Sequence, residues 1–102
     1  VIFDEIDANV GGEVARRVGE KMRLIGTKRQ VVAITHLPQS AVFATRHLVV
    51  SKSVVSGRTV TAVKEVSGGD RVKEIARMLG GCETMPVVGE HARELLASAA
   101  AG

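Results

Sequence analysis

Two short apolar runs near the start of the chain constrain its fold more than any other feature. Val1-Ile2-Phe3 stops on Asp4-Glu5, and Val31-Val32-Ala33-Ile34 stops on Thr35-His36. Between them, Glu13–Ile25 places Val14, Val18, Met22 and Ile25 on one helical face, with Arg16, Arg17, Glu20, Lys21 and Arg23 elsewhere. Gly26 marks the end of this helix. Strand, helix and strand within about 35 residues form a βαβ unit, whose two strands run parallel and read as buried on both faces.

The rest of the chain follows from local signals. Pro38 suits the first turn of a short helix over 38–45. His47–Ser53 and Arg58–Val66 are β-rich, and Ser53–Gly57 between them reads as a hairpin loop. Asp70 is the expected cap of a helix that aligns Val72, Ile75, Ala76 and Leu79 and stops at Gly80-Gly81. After Met85-Pro86, a last helix groups Ala92, Leu95, Leu96 and Ala99. The expected class is α/β: parallel strands in a βαβ unit, then a β-hairpin, then C-terminal helices. Residues 1–102 read as a single partial domain, without internal repeat, low-complexity segment or clear linker.

Composition narrows the function classes. The 102 residues are 45% apolar, enough for a modest core, but only Phe3 and Phe43 are aromatic. Without Trp or Tyr, the usual stacking platforms for single-stranded nucleic acid are missing. The net charge of +3 is too small to argue for DNA binding by itself. Arg16, Arg17, Lys21, Arg23, Lys28 and Arg29 gather together, but Glu13 and Glu20 interleave with them as on a solvated helix face. Cys82 is the single cysteine, so no intrachain disulfide forms, which fits a reducing compartment. No run approaches the roughly 18 apolar residues of a membrane span.

Asp4 and Glu5 are the first candidates for chemistry. A carboxylate at a rigid strand end holds Mg²⁺ on a nucleotide, usually through water, and a second carboxylate can orient or deprotonate the attacking water. A merely solvated strand end is the other reading of the same pair. His36 strengthens the first. In a parallel sheet the carboxyl ends of both strands open on one crevice, so Asp4, Glu5 and His36 come to the same edge. An imidazole there can contact a γ-phosphate and the water. Thr35 and Gln39 flank His36 and need only structural roles, as does Asp7. His47, His91 and Cys82 show no metal-ligand spacing. No G-x-x-x-x-G-K-[ST] phosphate loop occurs in the chain, so it cannot cradle a triphosphate by itself.

Several strings together resemble a known family. Val1–Ala8, Gly11-Gly12, Thr35-His36-Leu37-Pro38-Gln39 and Arg71–Gly81 are similar to the C-terminal end of the RecN family, bacterial SMC-like ATPases of DNA double-strand break repair. The Asp-Glu pair is shared with all ABC-type ATPases; the Thr-His-Leu-Pro-Gln string and the Ile-Ala-Arg-Met-Leu-Gly-Gly tail are more specific. The resemblance implies the C-terminal lobe of a P-loop NTPase head of ABC/SMC type. It makes Asp4 the Walker B aspartate supporting Mg²⁺ through water, Glu5 the catalytic glutamate and His36 the switch histidine, with ATP and Mg²⁺ as cofactors. Asp7–Gly12 matches the D-loop region, although Gly11 stands where an Asp is usual. The implied partners are the N-terminal lobe of the same protein, a second copy closing a homodimer around ATP, and DNA. The implied location is the bacterial cytoplasm, at the nucleoid, without a membrane. Phosphate loop, coiled coil and signature motif are expected outside these residues, so this segment alone is expected to be inactive and to expose an apolar sheet surface. Two other readings remain open: a non-catalytic α/β interaction module, and the equivalent lobe of another SMC or ABC ATPase.

Overall fold

In the computed structural model, residues 2–4, 11–81 and 85–101 are described. Glu5, Asp7 and Cys82 lie outside them.

The βαβ unit is present. Strand β1 (Ile2–Asp4) and strand β2 (Val32–Ile34) pair in parallel, with Ile2 opposite Val32, Phe3 opposite Ala33 and Asp4 opposite Ile34. Helix α1 (Gly12–Gly26) makes the crossover. The strands are three residues each and are not buried on both faces as expected: Ile2, Val32 and Ile34 are exposed. A parallel strand is covered only where helices pack on the sheet. Here the main helix contacts run between helices instead, α1 meeting the short helix α2 (Pro38–Ala41).

That contact also changes which face of α1 is buried. Val14 and Ile25 are exposed, whereas Ala15 and Gly19 are buried. Small residues let two backbones approach closely. Ser40 Oγ donates to Ala15 O at 2.7 Å, and a Cβ at Gly19 would stand 2.6 Å from Phe43 Cδ2 and 3.2 Å from Ser40 Cα. Gly19→Ala gains about 1 kcal/mol of helix propensity. It also overpacks a site where one of the obstacles is backbone, a cost of about 1–3 kcal/mol. The expected outcome is net destabilisation, read as a lower denaturant midpoint at unchanged slope; an unchanged or higher midpoint would contradict this packing.

After α2, strands β3 (His47–Val55) and β4 (Arg58–Val66) form an antiparallel hairpin of nine residues per strand. The connection is tighter than the expected loop. Ser53–Val55 are part of the strand, and only Ser56 and Gly57 turn the chain, with φ of 52° and 78°. Positive φ at both central residues is the type I′ pattern, whose twist matches that of the strands. Arg46 joins Glu65 through two hydrogen bonds of 3.1 and 2.8 Å. This pair holds the Glu65 carboxyl below its ordinary range.

Two helices complete the chain. Helix α3 (Gly68–Met78) has Ser67 rather than Asp70 at its N-cap position; Asp70 lies inside the first turn, where its charge favours the helix dipole. Its C-terminus is a Schellman motif: Gly81 N–H donates to Ala76 O at 3.2 Å, Gly80 N–H to Arg77 O at 3.0 Å, and Gly80 has φ 91°. Helix α4 (Pro86–Ala101) packs on α3. The core lies among helices rather than under the sheet. Val42, Phe43, Ile75, Ala76, Ala92 and Ala99 are buried, with Val72, Leu79, Leu95 and Leu96 packed around them. The apolar stripes expected for α3 and α4 are the ones used.

Candidate functional site

The carboxyl ends of β1 and β2 carry the candidate residues. Asp4 is the last residue of β1, is exposed, and stands opposite Ile34, the last residue of β2. Thr35 and the exposed His36 follow directly. Parallel register therefore brings Asp4 and His36 to one end of the sheet, as the βαβ pattern requires. Glu5 lies outside the described residues; its candidacy rests on its place directly after Asp4.

The turn bearing His36 is held on both sides. Leu37 N–H donates to Thr35 Oγ1 at 3.0 Å, so the threonine hydroxyl closes the bend at the strand end. Leu37 is the N-cap of α2, and Pro38 occupies its first turn, where a missing N–H costs nothing. Gln39 does more than its sequence position suggested. Its side chain lies over Gly12, with Nε2 3.4 Å from where a Cβ would stand. The first turn of α1, which has no side-chain cap, thus sits against the helix that follows His36. No signal in the sequence announced this contact.

Among the described residues, no group of three His, Cys, Asp or Glu side chains can hold a metal ion. A Mg²⁺ ion on a nucleotide needs no such cluster. The ion keeps several waters, takes phosphate oxygens, and asks the protein for only one or two carboxylates. Asp4 presents a carboxylate at an exposed strand end. Among the described residues, no helix is long and apolar enough to cross a membrane.

His47 and His91 take no part at this edge. His91 is exposed on α4, while His47 is half-buried at the start of β3 and its Nδ1 has no hydrogen-bond partner among the described residues. Burial pushes its pKa down; Arg71 and Arg77 add to the effect and Glu74 opposes it. The folded protein thus binds this proton less tightly than the unfolded chain. Stability contributed by neutral His47 is complete above the ordinary value of 6.5 and is lost as pH falls below it. Thermal melts at about pH 7.5 and about pH 5.5 should show a larger fall in Tm for the native protein than for His47→Gln. Equal falls would remove His47 from the pH response.

The fold and this edge define a class: an α/β protein with a parallel βαβ unit that gathers an acid and a histidine at the carboxyl end of its strands. No family model matches the chain. Comparison with curated proteins gives the family. The chain is 48% identical over 96 residues to DNA repair protein RecN of Halalkalibacterium halodurans, covering 94% of the chain and 17% of that protein. It is 48% identical over 97 residues to RecN of Deinococcus radiodurans, 95% of the chain and 17% of the relative. It is 44% identical over 99 residues to RecN of Bacillus subtilis, 97% of the chain and 17% of the relative. The chain belongs to the RecN family, and it spans about 17% of the length of these relatives.

Proposed function

We propose that this chain is the C-terminal lobe of a P-loop NTPase head, of ABC/SMC type, in an ATPase that acts in DNA double-strand break repair and recombination. The observation that carries the reading is the parallel register of β1 and β2, which sets Asp4 and His36 at one strand edge in a chain similar to proteins named for DNA repair. Asp4 supports a hydrated Mg²⁺ on the nucleotide, Glu5 polarises the attacking water, and His36 contacts the γ-phosphate. Phosphoryl transfer to water is mainly positioning and charge stabilisation, so groups placed on rigid strand ends suit it. The phosphate loop comes from the N-terminal lobe of the same protein, since no such motif occurs in these residues. A second copy closes the dimer around ATP, and DNA is engaged by the whole protein in the bacterial cytoplasm, at the nucleoid.

The test is steady-state ATP turnover by the whole protein and by this segment alone. Mg²⁺-dependent turnover is expected in the whole protein and none in the segment. A whole protein that does not hydrolyse ATP would overturn the reading.

A further inference from the structure

A helix of four residues cannot hold itself together. Nucleating a turn costs more than one hydrogen bond returns, and the last carbonyls of any helix have no partner inside it. Helix α2 is of this kind, and it begins two residues after His36. Its shape depends on groups brought from elsewhere. Ser40 Oγ ties it to Ala15 O of α1 at 2.7 Å. Two arginines, one from α1 and one from α3, reach the carbonyls at its other end. Arg23 of α1 donates from Nε to Phe43 O at 3.2 Å, with its guanidinium 5.2 Å from the centre of the Phe43 ring. Arg71 of α3 sets Nη2 at 2.8 Å from Ala44 O, 3.2 Å from Ala41 O and 3.4 Å from Val42 O.

Arg71 is half-buried, and among the described residues its Nε has no hydrogen-bond partner. Burial, and then the charge of Arg23, push its pKa down, so two cations converge on one short segment. A surface helix face would not call for a half-buried cation, and α3 buries Ile75 and Ala76 without it. One terminal nitrogen, Nη2, at the end of a long arm from α3, lies within reach of three carbonyls. What it holds is the stretch running back through α2 and Leu37 to the Thr35-closed turn of His36.

We propose that Arg71 is a positioning residue for His36, acting through the carbonyl end of α2. The inference rests on the reading of His36 as the γ-phosphate contact. A displaced imidazole would slow the chemical step while leaving most ATP contacts intact, because those lie elsewhere.

The experiment measures ATP turnover by the whole protein, expressed per ATP-binding-competent molecule so that loss of folded protein does not register. Arg71→Met is expected to lower kcat about tenfold, the scale of a small misplacement of a catalytic group. KM for ATP should stay within about twofold, since binding is not what Arg71 serves. Arg71→Lys, which keeps the charge and three N–H donors on one nitrogen but on a shorter arm, should recover part of the loss. Arg71→Met combined with His36→Ala should be no slower than His36→Ala alone, because both changes remove the same contribution. If Arg71→Met does not accumulate as folded protein, Arg71→Lys with and without His36→Ala gives the same comparison. A slow His36→Ala beside an unchanged Arg71 variant overturns the positioning role alone, as do losses that multiply in the double variant. An unchanged His36→Ala overturns the reading of His36, and the positioning role with it.

Discussion

Replacing Glu5 by Gln in the whole protein should leave ATP binding intact and nearly stop turnover. The amide has the size of the carboxylate but cannot take a proton from water or carry the charge that orients it. Losing one general base costs on the order of 10²–10⁴ in rate. ATP would then be held without being consumed, and dimers closed around it should accumulate. Nucleotide-binding affinity, steady-state hydrolysis and sizing in the presence of ATP measure the three parts of this expectation. Unchanged hydrolysis would remove Glu5 from the catalytic role. Native hydrolysis is not expected even at high Mg²⁺, because the defect lies in the water and not in the metal.

Asp4→Asn should behave differently at the same strand end. Asp4 is the last residue of β1 and exposed, and its proposed task is to hold a hydrated cation. Removing its charge weakens that hold and the electrostatic stabilisation it passes to the phosphates. Turnover should fall on the order of 10²–10³, the cost of losing one placed electrostatic group. Raising Mg²⁺ should recover part of the loss, which separates this variant from Glu5→Gln. A Mg²⁺ titration with the native midpoint and native maximal rate would rule the role out.

The features of this site that were legible in sequence are those set by local pattern. An apolar run ending in acid, an amphipathic helix and a second apolar run leave little choice but a parallel pair, and β1 and β2 pair that way. Because a parallel sheet opens at its carboxyl ends, the shared edge of Asp4 and His36 followed from the same pattern. The stripes of α3 and α4 were legible because a 3.6-residue period marks one face regardless of what covers it. Residues 53–57 were less so. Ser53 and Ser56 both look like turn residues, and only pairing through Val55 and Arg58 selects the two-residue turn. Asp70 misled for a related reason: a capping side chain and a favourable first-turn acid look alike in sequence, and the helix starts at Gly68.

Other features depend on which elements meet, and no local signal carries that. On α1, hydrophobicity pointed to Val14 and Ile25, yet the buried positions are Ala15 and Gly19, because α2 approaches too closely for larger side chains. Arg23 reads as an ordinary helix-face cation and no local signal singles out Arg71; only the fold turns them toward the carbonyls of residues 41–44. His47 begins a strand like any other residue until packing leaves its Nδ1 buried, without a partner among the described residues.

Local pattern in the chain sets the order and type of the main elements, the parallel pairing and the edge at which Asp4 and His36 meet. These follow from periodicity, turn chemistry and the handedness of crossovers, which act over a few residues or one βαβ unit. The tertiary structure alone decided where the core lies, which face of α1 is covered and what holds the short helix after His36. Those depend on close approach and on distant donors finding unpaired carbonyls, a matter of three-dimensional contact across 20 to 30 positions of chain.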